Sequence, residues 1–103
     1  LEELRSQIDK IDEDLLSTLA SRLDLVKQIG EYKLSENISV FQLERWNEIL
    51  ASRNKLGEKL NIDKTFIAEF LELVHQESIR IQTNINSSQK EEDIAASDQS
   101  SSK

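Results

Sequence analysis

Read in sevens, the first third of the chain places Leu1, Leu4, Ile8, Ile11, Leu15, Thr18, Arg22, Leu25, Ile29 and Tyr32 on one helical face. No proline interrupts this stretch and Gly30 is its single weak position. The spacing predicts one helix from about Glu2 to about Leu34, stopped by the polar, turn-forming run Ser35-Glu36-Asn37. A second helix is expected from Ser39, with that serine as N-cap and Gln42 reaching back as the other half of a capping box. Its apolar stripe is Leu43, Trp46, Ile49 and Leu50, and Gly57 is the expected C′ glycine. Asp63 is a good N-cap for a third helix carrying Phe66, Ile67, Phe70, Leu73, Val74 and Ile81, interrupted by Glu77, Ser78 and Gln82. The fold class is all-α, a three-helix subunit with one long N-terminal helix.

That first helix is too long for its own chain. It spans roughly 50 Å, whereas a compact domain of about 85 residues is only about 30 Å across. One subunit cannot cover the seam, so the expectation is an intertwined homodimer in which two long helices pack together. The helical domain is expected over residues 1–85. From Asn86 to Lys103 the sequence is rich in Ser, Asp, Glu and Lys with almost nothing to bury, and it reads as a disordered polar tail.

Charge and composition narrow the function. A net charge of −7 repels nucleic acid and anionic membranes. No apolar run approaches the ~20 residues of a membrane span, and nothing at the start reads as a signal peptide. Without cysteine there is no thiolate nucleophile, disulfide framework or cysteine metal site, which fits a reducing, cytoplasmic setting. No cofactor or metal is expected, because His75 is the only histidine and reads as a helix-surface or packing residue. The chain opens on Leu1 rather than Met, as an excised domain or a trimmed chain would.

The chemistry lies where the seam is broken. Arg22 stands where a leucine should, and Lys33 follows eleven residues later on the same face, roughly 16 Å along the axis. Burying an unpaired cation costs several kcal/mol, so a chain that keeps one on its core face needs an anion to meet it. Arg45 on the second helix, and Ser78 with Gln82 at i, i+4 on the third, complete a set of five donors. The set suits an oxygen-rich anionic ligand and not proton abstraction, since neither carboxylate nor histidine stands among them. A structural salt-bridge network is the plainer explanation. Arg5 lies about 25 Å before Arg22 on the same helix and cannot share a small ligand with it. In an antiparallel dimer it could approach Arg22 of the other subunit, although its ordinary place would be in solvent.

The ordered set Leu4-Arg5, Ile8, Ile11-Asp12, Leu15-Leu16, Arg22, Ile29-Gly30, Lys33, Val40, Arg45, Glu77-Ser78 and Gln82 resembles the all-helical (AroQ-class) chorismate mutases over about residues 3–85. The resemblance implies a dimer with shared active sites that converts chorismate to prephenate in aromatic amino-acid biosynthesis. It implies that Arg22 and the partner subunit's Arg5 bind the two carboxylates with Ser78 assisting, and that Lys33 and Gln82 donate to the ether oxygen. Arg45 would support carboxylate binding, Ile29 would form apolar wall, and Gly30 would permit close backbone approach. Two positions depart from the family pattern: Trp46 and Gln42 stand where acids are usual, which puts recognition of the substrate hydroxyl in question. The family is often fused to other steps of the shikimate pathway, implying a fused or docked partner enzyme. Two rivals remain, an isochorismate pyruvate-lyase on the same fold and a non-catalytic helical dimerisation or regulatory module.

Overall fold

The computed structural model describes the backbone of residues 1–101 and the side chains of residues 1–87. Three helices follow one another: α1 (Glu2–Ser35), α2 (Leu43–Lys59) and α3 (Lys64–Ser101). Residues 86–101 of the expected disordered tail instead continue the backbone of α3 as helix, while the side chains from residue 88 onward lie outside the described residues. No described helix is long and apolar enough to cross a membrane.

Both connections are set by the same backbone device. After α1, Asn37 takes a left-handed φ of 57°, the Asn37 N–H donates to the Leu34 carbonyl at 3.3 Å, and the Ile38 N–H donates to the Lys33 carbonyl at 2.7 Å. After α2, Asn61 (φ 59°) repeats this, with the Asn61 N–H on Glu58 O at 3.1 Å and the Ile62 N–H on Gly57 O at 2.9 Å. Each is a Schellman motif with asparagine at C′, the residue type that tolerates this conformation best after glycine. At the start of α3, Asp63 Oδ2 accepts the Phe66 N–H at 2.9 Å, the expected N-cap.

Two expectations about α2 need correction. It starts at Leu43 with Gln42 as a backbone N-cap that makes no side-chain cap bond, while Ser39 Oγ donates to Phe41 O at 3.2 Å. The capping box does not form, because the chain is still extended at Gln42 (φ −127°, ψ 106°). Gly57 lies inside the helix rather than beyond it. Its lack of a side chain serves packing: a Cβ there would sit 3.1 Å from Ile67 Cγ1 on α3.

Residue pairings give the topology. Arg22 meets Ser78 and Val26 meets Gln82, so α1 and α3 run parallel. Trp46 meets His75 and Gly57 meets Ile67, so α2 runs antiparallel to α3. Among the described residues α3 packs along both other helices, but α1 and α2 do not pack on each other. The gap between them, floored by α3, is the cavity described below.

α1 comes close to α3 at Gly30, where a Cβ would lie 2.9 Å from Gln82 Cγ, 3.0 Å from Ile85 Cδ1 and 3.4 Å from Gln82 Cα. Gly30→Ala should gain about 1 kcal/mol of helix propensity and lose about 1–3 to overpacking. Gln82 is tethered at both ends of its amide, so it cannot swing aside cheaply. The expected outcome is a lower Tm in thermal unfolding followed by circular dichroism; an unchanged or higher Tm would show that α3 yields.

The chain by itself encloses little. Among the described residues only Val26 and Leu71 are buried apolar side chains. The radius of gyration is 19.1 Å, against about 13 Å for a compact chain of this length. About half of the exposed large apolar side chains lie along α1, with Leu1 78 % and Leu4 61 % exposed and Ile8, Ile11, Leu15, Leu25 and Tyr32 comparably open.

Candidate active site

A cavity of about 310 Å³ occupies the gap between α1 and α2. Eight of the nine residues singled out from the sequence line it: Arg22, Ile29, Lys33, Gln42, Arg45, Trp46, Ser78 and Gln82. Arg5 does not. It is exposed in the first turns of α1, 3.4 Å from Glu2, as its distance along the helix requires.

Two rungs cross from α1 to α3. Arg22 Nη1 donates to Ser78 Oγ at 3.2 Å, and Lys33 Nζ donates to Gln82 Oε1 at 3.0 Å and to the Val40 carbonyl at 2.7 Å. Along α1 the two cations are eleven residues apart, while Ser78 and Gln82 are one turn apart on α3. The long side chains therefore lean toward each other and bring their charges into one space. The Val40 carbonyl is available because the chain leaves α1 through the Schellman turn and passes in front of Lys33.

Gln82 is 5 % exposed, the one buried polar side chain among the described residues. Its Nε2 donates to the Val26 carbonyl at 3.1 Å, and its Oε1 faces Lys33. A flipped amide would set nitrogen against ammonium and oxygen against carbonyl, so this network fixes its orientation.

Counting hydrogens shows what each group can still offer. Lys33 has three N–H bonds and spends two. Gln82 has two and spends one. Arg22 has five and spends one. Ser78 spends its only hydrogen on the Val74 carbonyl at 2.9 Å, so it fixes Arg22 rather than donating to a ligand. Glu77, beside it, is turned to Arg80 on its own helix, 2.7 Å from Nε.

No Asp or Glu lines the cavity. Arg45, largely exposed, pairs with Glu48 at 3.1 Å, but among the described residues neither Arg22 nor Lys33 is ion-paired. Burial lowers the Arg22 pKa, helped by the nearby charges of Arg53 and Arg45. Burial also lowers that of Lys33. Both shifts mark charge held in a site where no protein anion balances it.

Three participants receive no role in the site from the sequence alone. Val40 O is a backbone acceptor and left no side-chain signal. Arg53 lies one further helical repeat along α2 from Arg45 and Ile49, a spacing that could have pointed to it. His75 was read as surface or packing. It does pack, stacked on Trp46 with centroids 3.9 Å apart and planes at 17°, and it also reaches the cavity.

An all-helical chain with a small, mostly apolar cavity, unbalanced cations and no acid on its wall is suited to hold small organic anions by donors alone. The model of the family described as chorismate mutase type II matches residues 4–83, and the chain belongs to that family. It is 41 % identical over 75 residues to the T-protein of Enterobacter agglomerans, covering 73 % of this chain and 20 % of that one. It is 32 % identical over 81 residues to the bifunctional chorismate mutase/prephenate dehydratase of Buchnera aphidicola subsp. Schizaphis graminum (79 % and 21 % covered). With the enzyme of the same description from Aquifex aeolicus it shares 40 % over 60 residues (58 % and 17 %). The chain spans about a fifth of the length of the curated relatives it matches.

Proposed function

We propose that this chain is a chorismate mutase, an isomerase that converts chorismate to prephenate by an intramolecular [3,3] rearrangement. The observation that carries the proposal is the pair Arg22 and Lys33, half-buried in one cavity and held only by neutral groups. In this reaction one C–O bond breaks and one C–C bond forms within a single molecule, so no nucleophile, proton transfer, metal or cofactor is required. Two tasks remain for the protein.

The first is to hold a flexible substrate in its compact reactive conformer. Arginines gripping two carboxylates do this, and most of the gain is prearranged geometry. Arg22 presents free N–H bonds on a guanidinium fixed by Ser78, with Arg45 beside it and Ile29 and Trp46 as apolar wall. The second is to stabilise negative charge on the ether oxygen as its bond lengthens. The unspent hydrogens of Lys33 and Gln82 suit that task, one charged and one neutral, both anchored before substrate arrives.

The partner subunit's Arg5 completes the grip in this proposal. Its support is the open seam of α1 and the placing of Arg5 outside its own chain's cavity. Shared sites in a homodimer follow. The catalytic domain is taken as residues 1–85, supported by a family match that ends at residue 83, with 86–103 as a polar tail. The fused relatives suggest a larger enzyme of the same pathway as the natural setting, fused or docked, and the lack of cysteine fits the cytoplasm.

The test is to follow loss of chorismate and appearance of prephenate with purified protein, offering isochorismate separately. Turnover of chorismate to prephenate is expected. Pyruvate release from isochorismate in its place would assign the lyase, and inertness toward both would leave a non-catalytic helical module.

A further inference from the structure

Once the charged and ether oxygens are provided for, the proposed substrate has one polar group without a partner, its ring hydroxyl. A hydroxyl both donates and accepts, so it is best met by a neutral group that does the same. The cations cannot accept, Ser78 has spent its hydrogen, and the indole of Trp46 only donates. Among the described residues that line the cavity, two neutral groups keep both functions unspent: Gln42, whose side chain makes no cap bond, and His75.

These two differ in how they are held. Gln42 is exposed at the start of α2, and no hydrogen bond among the described residues fixes its amide. The imidazole of His75 lies flat on Trp46 at 3.9 Å and 17°, and Phe41 meets it edge-on with centroids 5.7 Å apart and planes at 63°. Two aromatic contacts fix the plane of the ring without using either nitrogen. A group held in place before the ligand arrives loses little freedom on binding it. Trp46 also excludes water from one face of the imidazole, which strengthens any hydrogen bond made at the ring edge.

We propose that His75 is a specificity-determining residue that hydrogen-bonds the ring hydroxyl of the substrate, with Trp46 as the platform that aims it. The role rests on the chorismate mutase assignment. It explains how a site with no acid on its wall can still recognise a neutral oxygen, and it gives Trp46 a task beyond filling space.

The experiment compares chorismate with an analogue lacking only the ring hydroxyl, for the unaltered chain and for His75→Phe and His75→Gln. The phenylalanine keeps the stack and loses the hydrogen bond; the glutamine keeps a donor and an acceptor and loses the stack. The unaltered chain is expected to favour chorismate in kcat/KM by roughly 10-fold, the worth of one well-placed hydrogen bond. His75→Phe should abolish that preference by losing rate on chorismate alone, and His75→Gln should restore part of it. If His75→Phe slows both substrates equally, the residue is structural and the proposal is overturned. Undiminished preference in His75→Phe would overturn it as well. If the unaltered chain turned over neither substrate, the failure would lie with the enzyme assignment itself.

Discussion

Lys33→Ala is expected to lower kcat on chorismate by about 10²–10³-fold, the usual effect of removing one preorganised donor at a developing oxyanion. The substitution removes the only full charge placed beside Gln82. It leaves the Gln82 amide still bound to the Val26 carbonyl, so the geometry of α3 against α1 should persist. Helical circular dichroism close to that of the unaltered chain is the control. Near-normal kinetics would end the assignment of Lys33 to the ether oxygen.

A pH profile carries the same point with an explicit sign. Burial lowers the Lys33 pKa below the 10.5 of the free amine. Activity that needs the ammonium should therefore fall on the alkaline side before a free lysine would titrate. Stability moves the other way. Between the lowered folded pKa and the unfolded one, the unfolded chain binds more protons, so this group's contribution to stability rises with pH there. Rate and stability changing in opposite directions over one pH window would single out Lys33 from groups whose loss simply unfolds the protein.

Arg5→Ala and Arg22→Ala are each expected to be nearly inactive alone and to regain activity when mixed, unfolded and refolded together. If each site draws Arg22 from one subunit and Arg5 from the other, a mixed dimer holds one doubly altered site and one intact site. Random reassembly makes about half of the dimers mixed, so about a quarter of the sites should be whole. Two inactive proteins producing activity has no explanation in which each chain works alone. Absence of any regain, with mixed dimers demonstrated by mass, would rule out sites shared between chains.

Much of the fold was legible because it rests on local physics. The seam of α1 and its stop at Ser35-Glu36-Asn37 follow from periodicity and turn chemistry, and Asp63 caps α3 as its side chain allows. The misses come from tertiary demands that overrode local signals. Gly57 looks like a terminator, yet it is needed inside α2 because Ile67 lies against it, and Asn61 ends the helix instead. Ser39 and Gln42 have the spacing of a capping box, but the chain stays extended there while it carries the Val40 carbonyl to Lys33.

The candidate site was legible for the opposite reason: it consists of positions where the pattern fails. Arg22, Lys33, Ser78 and Gln82 are polar where the helical stripes call for apolar side chains, and the structure brings all four to one cavity. How they divide the work was not legible. Only the geometry shows that Ser78 holds an arginine and has no hydrogen left, or that Gln82 anchors a lysine while retaining one. His75 read only as a surface or packing residue because a lone histidine between Val74 and Gln76 has no periodic signature; its place at the cavity depends on an aromatic ring presented by another helix.

Arg22 and Lys33, without an ion-pair partner among the described residues, concentrate positive charge at one cavity of the native state. A dianion entering it cancels repulsion that the polypeptide otherwise sustains, and the disordered chain offers no comparable refuge. Occupancy and folding are therefore one equilibrium seen from two ends: at a hundred times its dissociation constant, such a guest would deepen the native well by about 2.7 kcal/mol through mass action. A domain with so thin an interior of its own would then draw part of its persistence from the anion proposed to bind it.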